Sequence, residues 1–422
     1  MKSACHSQYD RRLLLLILLV ALVLRAGFVV WLQERLDATG RDYLISGDAE
    51  GYWDLAKTIV KGEDYAIHSP PRSVHRMPGL PAVLAISISI FGESRFAARI
   101  LLATLGALSC GLLYLLGKRI HSSAAGLIAA ALLAISPASI GFSGVILSET
   151  LFGFTMLLSL LGAVSLIEQL TQSSVSVSKV CGWALLTGIL IGLGVYTKPS
   201  WILVGPLLGF LLLAFISPRW NSGIAAVLMT LGMVLVLLPW GVRNQNVSGH
   251  FKLTTFWMGP SLYDGLNPQA TGASDMRFFD DDQLPNEMTE YEVDKEYQRR
   301  SWEFAKANPS RVVSLAGAKL WRYWKPWPNA AQFDKALIRI GLCLYTIPVF
   351  FLAAWGAWKI WEKNWSIVVC AGPIFYFAGL HMIFVSSLRY RLPAEAPLLV
   401  LSAIGILSIC GRLNDESKRR AD

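Results

Sequence analysis

The chain has 422 residues, of which 54% are hydrophobic and 16% are charged. This composition excludes a soluble domain built around one large core and indicates a polytopic membrane protein. The formal net charge of +9 is typical of basic cytoplasmic loops in such proteins and does not indicate a nucleic-acid partner. The 15 Trp and 13 Tyr suit interfacial belts and a sugar- or lipid-facing cavity equally well.

Ten apolar runs are long enough, or nearly so, to span a bilayer as helices of about 20 residues. The first follows Arg11 and Arg12, is too long for a signal-peptide apolar region, and is interpreted as a retained signal anchor. The pattern predicts an all-α polytopic membrane protein with about ten transmembrane helices and external juxtamembrane helices. The runs are roughly 13–31, 96–117, 123–141, 150–168, 180–196, 199–217, 222–240, 336–358, 365–386 and 393–411.

A further apolar run at 79–91 is short and bounded by Pro and Gly, and the topology depends on whether it spans. If it lies on the membrane surface and the N-terminus is cytoplasmic, most clustered Lys and Arg fall inside, as the positive-inside rule favours. If it crossed, Lys118 and Arg119 would lie outside. We therefore predict a surface helix at 79–91, which places Asp48 and Glu149 on the same, external side.

This topology divides the chain into three regions. The external parts contain two predicted helices outside the membrane, at about 49–60 and 287–307. The regions are a transmembrane catalytic module at 1–240 with an external loop at 32–95, an external and partly helical region at 241–335, and C-terminal transmembrane helices with a cytoplasmic tail at 336–422.

The stretch SGDAEGYWDLA, which follows the first apolar run, is the leading candidate for chemistry. Acidic side chains at the edge of a bilayer are costly, so they indicate either a solvated turn that caps the next helix or a working site. Asp48 is the predicted catalytic residue. Glu50 and Tyr52 are possible substrate-binding residues.

Other charged residues fall on the same predicted face. Glu149 opens an apolar helix in ILSETLF, and Arg76 lies in HRMPGLP. Arg389, Tyr390 and Arg391 precede a proline-interrupted helix. A planar guanidinium can bind two phosphate oxygens, and a carboxylate can act as a general base for a hydroxyl acceptor.

These patterns also permit other interpretations. Glu149 with Ser148 can simply cap a helix, and Arg389 and Arg391 can be interface anchors. Lys198 in YTKPSW either binds an anionic headgroup or extends to the interface. Lys198 and Tyr390 are further possible substrate-binding residues. Asp48 and Glu149 can alternatively hold a divalent cation such as Mg²⁺ or Mn²⁺, so metal dependence stays open.

Five segments, in order, resemble those of the GT-C glycosyltransferases, the group that includes protein O-mannosyltransferases and lipid A aminoarabinose transferases. The resemblance covers most of residues 10–240 and 365–411. It implies a polyprenyl-phosphate-linked sugar donor bound at the outer face and inversion at the anomeric carbon. The segments are GDAEGYWDLA, HRMPGLPAVLAISISIFGESRFAARI, ISPASIGFSGVILSETLF, LLTGILIGLGVYTKPSW and RYRLPAEAPLLVLSA.

The resemblance also implies roles for individual residues. Asp48 falls at the family's first acidic position, where the catalytic base or acceptor-orienting residue lies, and Glu149 falls at the second. Arg76, Arg389 and Arg391 fall where basic residues near the donor phosphate are expected. The protein O-mannosyltransferases have adjacent Asp and Glu in the first loop, whereas here Ala follows Asp48.

The sequence thus predicts a membrane glycosyltransferase that moves a sugar from a polyprenyl phosphate to a lipid, glycan or protein acceptor. We expect it in a bacterial inner membrane, in contact with membrane lipids, with its site on the periplasmic face. A transporter or lipid-carrier flippase is the alternative, and it would show mid-helix ionisable residues and inverted repeats. A non-catalytic scaffold would have no reason to place acids and arginines on separate loops of one side.

Overall fold

The computed structural model describes residues 2–330 and 333–411. Within these residues the chain forms seventeen α-helices, and its only β-type pairing is an isolated bridge between Ile67 and Arg72. The helices are α1 (Lys2–Ala38), α2 (Asp48–Lys61), α3 (Gly79–Phe91), α4 (Arg95–Ile120), α5 (Ser123–Ile135), α6 (Pro137–Ser143), α7 (Ser148–Leu170), α8 (Val177–Thr197), α9 (Val204–Phe215), α10 (Arg219–Ser248), α11 (Met258–Gly265), α12 (Arg277–Asp282), α13 (Glu290–Ala307), α14 (Pro309–Trp324), α15 (Ala336–Lys359), α16 (Asn364–Ile383) and α17 (Leu388–Ile409).

Every one of the ten predicted spans is helical. In the described part of the chain, eight helices are long and apolar enough to cross a membrane, namely α1, α4, α7, α8, α10, α15, α16 and α17. The bent pair of α5 and α6 makes a ninth if it is one span, and the tenth run, Pro199–Phe215, is a shorter apolar segment that begins with a 3₁₀ turn. The protein is therefore an all-α, multi-pass membrane protein, as predicted.

The run predicted as one helix at 123–141 is divided by a bend of 61° between α5 and α6. Pro137 has no backbone N–H and disfavours helical geometry at the preceding residue, and Ser136 is accordingly extended. The bend frees the last carbonyl groups of α5. Arg25 of α1 donates hydrogen bonds to two of them, the carbonyls of Leu133 (3.0 Å) and Ala134 (3.2 Å).

The helix α3 confirms the helical nature of the 79–91 run and has 13 residues. At about 1.5 Å per residue it extends about 20 Å, which is less than the hydrocarbon thickness of about 30 Å. It packs against α2 and α4 through a separate apolar cluster that includes Trp53, Leu84 and Leu102. This length and this packing suit the predicted surface position.

The remaining packing places several helices at one end of the bundle. The pairs α8–α10, α15–α17, α7–α8 and α1–α4 form the long contacts of the transmembrane bundle. The helices α2, α3 and α11 to α14 lie beyond one end of the bundle. Phe256, just before α11, donates its N–H to the carbonyl of Val74, in the segment before α3. Lys319 of α14 donates to the carbonyl of Ile383, the last residue of α16. We call this end of the bundle the site end.

The two helices predicted outside the membrane are present as α2 and α13. The α13 helix starts at a capping box in which Thr289 and Glu292 exchange hydrogen bonds, which explains its sharp start. The helices α11, α12 and α14 were not predicted. The C-terminal tail at 412–422, predicted to be cytoplasmic, lies outside the described residues.

Candidate active site

Asp48 is the first residue of α2 and lies at the site end. The residue before it, Gly47, adopts a positive φ of 79° and provides no side-chain cap. The Asp48 carboxylate accepts hydrogen bonds from Arg76 Nη2 and Arg389 Nη1, each at 2.8 Å. Its side chain therefore joins the start of α2 to α17 and to the segment at 62–78 between α2 and α3, which we call the proline-rich loop. Helix capping is not its role.

Glu149 is the second residue of α7 and is 2% exposed. Its Oε1 atom accepts a hydrogen bond from Arg389 Nε at 2.6 Å and lies 3.6 Å from Lys198 Nζ. The N-cap of α7 is Leu147, so neither Ser148 nor Glu149 is the capping residue. Lys198 immediately follows α8, whose final turn lies beside the first turn of α7, and its side chain turns into the protein.

Five side chains thus form one network, which we call the carboxylate–arginine cluster: Asp48, Arg76, Glu149, Lys198 and Arg389. Three of these groups are cationic and two are anionic, so the ionised cluster carries a net charge of 3 − 2 = +1. Arg389 is central because it contacts both carboxylates through different nitrogens. A partly buried cluster with excess positive charge is suited to binding an anion.

Aromatic rings support the cationic members of the cluster. The Arg76 guanidinium lies 4.7 Å from the ring centre of Tyr52, and Lys198 Nζ lies 5.0 Å from that of Tyr390. The His381 ring stacks on the Tyr390 ring, with 4.6 Å between the ring centres and 10° between the ring planes. The two tyrosines predicted as substrate-binding residues therefore lie against the cluster.

The two arginines control the ionisation of Asp48. Burial of its carboxyl group favours the neutral form, but the charges and hydrogen bonds of Arg389 and Arg76 outweigh burial and lower its pKa well below the ordinary value. Asp48 is consequently ionised at neutral pH. A carboxylate held so strongly accepts a proton readily only if its arginines are drawn to another anion.

Two predicted site residues lie away from the cluster. Glu50 is exposed on α2. Arg391 is fully buried and donates to Glu395 and to the backbone carbonyl of Tyr323. Positions 389 and 391 of a helix are about 200° apart around its axis, so the two arginines point to opposite sides of α17. The structure thus gives Arg391 a role in packing α17 against the end of α14.

The residues present do not fit a resident Mg²⁺ or Mn²⁺ ion in this arrangement. Hard cations bind several oxygen ligands at once, but the Arg389 guanidinium lies between the carboxylates of Asp48 and Glu149. Within residues 2–330 and 333–411, no group of three or more His, Cys, Asp or Glu side chains is placed to hold a metal ion.

A cavity extends from the cluster into the apolar bundle. It encloses about 410 Å³ of empty space, part of it open to solvent, and Glu149 contributes to its wall. Most of the other lining groups are small or apolar, among them Leu157, Leu392 and Ala396, and Arg25 is the other charged residue that lines the cavity. A ligand with an anionic head and an apolar tail would match this combination of cluster and cavity.

Arg25 and His381 are site-region residues that the sequence analysis missed. Arg25 had a usable signal, since an ionisable side chain in the middle of an apolar run is rarely without a function. Its side chain is 1% exposed and is engaged by the carbonyls at the bend after α5. His381 had a weaker signal, because it lies near the end of the apolar run at 365–386 and its stacking on Tyr390 depends on the packing of α16 against α17.

Comparison with known proteins supports the resemblance seen in the motifs. Residues 73–241 match the family model described as dolichyl-phosphate-mannose-protein mannosyltransferase. An undecaprenyl phosphate-alpha-4-amino-4-deoxy-L-arabinose arabinosyl transferase of Pseudomonas aeruginosa is 32% identical over 179 residues, which is 42% of this chain and 31% of that protein. The corresponding enzyme of Pseudomonas paraeruginosa is 31% identical over 182 residues, with the same shares. The chain therefore spans about a third of the length of the curated relatives that it matches.

A solved structure extends the likeness to the whole fold. The oligosaccharyltransferase AglB of Archaeoglobus fulgidus, in complex with an inhibitory peptide and a dolichol-phosphate, aligns with a TM-score of 0.60 and 17% identity. The alignment covers 99% of this chain and 52% of that one. At this identity the likeness concerns the fold alone. The resemblance to the GT-C glycosyltransferases, read from five sequence segments, is confirmed, and so is the GT-C-like membrane fold.

Proposed function

We propose that this protein is a membrane glycosyltransferase that moves a sugar from a polyprenyl-phosphate donor to an acceptor. The observation that carries the proposal is the carboxylate–arginine cluster at the end of an apolar cavity. A lipid-linked donor has the matching shape, with an apolar chain, a phosphate and a sugar in that order. The local similarity of residues 73–241 to sugar-transfer enzymes supports the same chemistry.

The cluster supplies the groups that such a transfer needs. The donor phosphate binds beside Arg389, Arg76 and Lys198, whose charges stabilise it as it leaves the anomeric carbon. The acceptor hydroxyl or amine attacks that carbon from the opposite side, so a bond to the acceptor forms while the carbon–phosphate oxygen bond breaks. The configuration is inverted. Asp48 orients the acceptor and takes its proton, and Glu149 holds Arg389 and Lys198 in position.

The donor phosphate and Asp48 compete for the same arginines, and this competition links phosphate binding to deprotonation of the acceptor. Arg76 and Arg389 both hold Asp48 at 2.8 Å. A phosphate that draws on the same guanidinium groups weakens their hold on the carboxylate, which raises the basicity of Asp48. The base is thereby activated when the donor is in place, and an acceptor alone is not deprotonated.

We also propose that the site end faces the outside of a bacterial inner membrane, the periplasm. The support is the distribution of charge, since the clustered Lys and Arg of the short loops then lie in the cytoplasm. The acceptor is a lipid, glycan or protein that reaches this face. The transporter alternative is less favoured because the acids and bases of the cluster lie at helix ends, and the mid-helix Arg25 is engaged by backbone carbonyls.

The replacement Asp48→Asn tests the proposal. It keeps the shape of the side chain but removes the proton acceptor, so we expect transfer to fall by about 100-fold or more. The assay uses the protein in lipid nanodiscs with synthetic polyprenyl-phosphate sugars, and mass spectrometry detects the released polyprenyl phosphate. Asp54→Asn is the matched control, because Asp54 lies on the same helix in an ion pair with Lys57. Transfer by Asp48→Asn at the rate of the unchanged protein would rule out the assignment.

A further inference from the structure

A second cavity lies at the site end, between the proline-rich loop and the start of α13. It encloses about 480 Å³ of empty space, part of it open to solvent. We call it the loop pocket. Its walls are mostly apolar and aromatic, and they include Phe256, Trp257 and Phe279 together with prolines, while Arg72 and Glu290 supply its charged groups.

Glu290 presents one carboxylate oxygen without a partner. Its Oε2 atom accepts the backbone N–H groups of Ser73 at 3.0 Å and Val74 at 2.9 Å, which holds the carboxylate in place. The other oxygen, Oε1, is buried and accepts no hydrogen bond from the described residues. Leaving such a buried acceptor unpaired is costly, so this atom is placed to meet a ligand.

Arg72 presents a matching donor. Its guanidinium lies 4.5 Å from the ring centre of Phe279 and 5.8 Å from that of Trp257, so the aromatic wall holds it in place. Its Nε–H group is buried and has no acceptor among the described residues. The loop pocket therefore combines one fixed donor, one fixed acceptor and an apolar wall.

This combination restricts the chemistry of the ligand. A phenylalanine side chain would leave both polar atoms unpaired, and the N–H group of a tryptophan would leave Arg72 unpaired. A phosphate would pair with Arg72 but be repelled by Glu290, and an ammonium group would be repelled by Arg72. Neighbouring hydroxyl groups meet both requirements, because one hydroxyl oxygen accepts from Arg72 while another hydroxyl donates to Glu290. Such groups on a ring with apolar C–H faces are those of a neutral sugar.

We propose that the loop pocket binds a neutral sugar ring of the acceptor, which is therefore a glycan or glycolipid. The inference rests on the proposed transferase function and specifies its acceptor. Arg72 lies four residues before Arg76 in the cluster, so their Cα atoms are at most about 14 Å apart. Trp257 also packs on His75, the neighbour of Arg76, at 4.1 Å between ring centres. The pocket is thus near enough to the cluster to position an acceptor.

Direct binding tests the inference without any donor. Methyl glycosides of glucose, galactose, mannose and N-acetylglucosamine are presented to the full chain in nanodiscs, with saturation-transfer NMR to detect binding and calorimetry to measure affinity. In Glu290→Gln the amide oxygen takes the two backbone N–H groups and the NH₂ group faces the pocket, so an acceptor becomes a donor. We expect affinity for the bound glycoside to fall at least about 10-fold in this variant and in Arg72→Met.

The control is Glu287→Gln, an exposed position near α13 that does not line the pocket and should leave affinity within about 2-fold. Thermal unfolding of each variant shows that the fold is intact. The inference fails if no glycoside binds the unchanged protein, if Glu290→Gln binds as well as the unchanged protein, or if only N-acetyltryptophanamide binds at this site.

The same experiment separates this inference from the proposed function. Asp48→Asn should bind the glycoside normally and yet fail to transfer sugar. If the unchanged protein binds the glycoside but transfers no sugar from any lipid phosphate, both the transferase function and the acceptor role of the loop pocket are contradicted. Transfer activity without glycoside binding contradicts the loop pocket alone.

Discussion

At the scale of single residues, the site depends on Arg389 being an arginine. Its Nε atom donates to Glu149 of α7 and its Nη1 atom donates to Asp48 of α2. A planar guanidinium donates in several fixed directions at once and always carries its positive charge. A lysine in this position would contact one carboxylate and leave the other with a single cationic partner. The identity of this side chain therefore decides whether the two acids share one site.

The low pKa of Asp48 predicts a pH dependence of stability. A carboxyl group whose pKa is lower in the folded state stabilises the fold above its unfolded pKa of about 3.9, and this contribution is lost as the pH falls below that value. The unchanged protein should therefore unfold at a higher temperature than Asp48→Asn near pH 7. The difference should stay constant down to about pH 5 and shrink toward pH 3.

Thermal unfolding in nanodiscs across this pH range measures the effect. Asp54→Asn provides the comparison, because the exposed pair of Asp54 and Lys57 should give a much smaller difference at every pH. A difference between the unchanged protein and Asp48→Asn that grows on acidification would contradict the ionised, arginine-held carboxylate.

Single residues also show how far sequence reasoning reaches into the site. Asp48, Arg76, Glu149 and Arg389 were predicted because charged residues stand out beside apolar runs, and the structure brings them together. Arg391 was grouped with Arg389 by proximity in sequence, but the angle between neighbouring positions on a helix separates them. Which face of α17 meets the cluster depends on packing with other helices.

At the scale of helices, α8 and α10 approach closely enough to require glycine. A Cβ atom at Gly188 would lie 2.0 Å from the backbone oxygen of Met229, and one at Gly232 would lie 2.5 Å from that of Leu185. Small residues in facing positions allow two membrane helices to gain dispersion energy along their backbones. Since Lys198 follows α8, this contact also fixes the position of a cluster residue.

The substitution Gly188→Ala should consequently force α8 and α10 apart. We expect a loss of about 1–3 kcal/mol in unfolding free energy, the usual cost of overpacking. Gly182→Ala on the same helix is the control, because a Cβ atom there has nothing within 4 Å. Thermal or denaturant unfolding of both variants measures the effect, and equal stability of the two would show that the close approach is not required.

The helices themselves were more predictable than their ends. Length and hydropathy were sufficient for all ten apolar runs, because burial in lipid requires long apolar segments. The bend after α5 and the 3₁₀ turn before α9 were missed, although Pro137 and Pro199 lie at those points. The helix α14, which packs against α16, was not predicted.

At the scale of the whole molecule, the site requires that α2 and the start of α7 lie on one side of the membrane. The ion pair between Glu149 and Lys198 places the start of α7 and the end of α8 together. The turn that connects α7 to α8 must then lie at the opposite end, since α7 is 23 residues long.

Labelling of single cysteines in a protein without its native cysteines tests this arrangement. Glu50→Cys and Asp281→Cys, at exposed positions of the site end, should react with a membrane-impermeant maleimide in intact cells. Ser174→Cys, in the turn after α7, should react only after permeabilisation. The cysteine-free parent shows the background. Reaction of positions 50 and 174 from the same side would contradict the topology.

The sharing of Arg389 also has a consequence for the synthesis of the protein at the ribosome. Arg389 follows Glu149 by 389 − 149 = 240 residues, whereas Lys198 follows it by only 198 − 149 = 49 residues. At about 5–20 residues per second, α7 waits roughly 12–48 s for Arg389. Of the two cations that pair with Glu149 in the folded protein, only Lys198 is synthesised during that interval. The two acids are joined only when α17 has been inserted, so a nascent chain lacks the complete site until both ends of the transmembrane bundle have been synthesised.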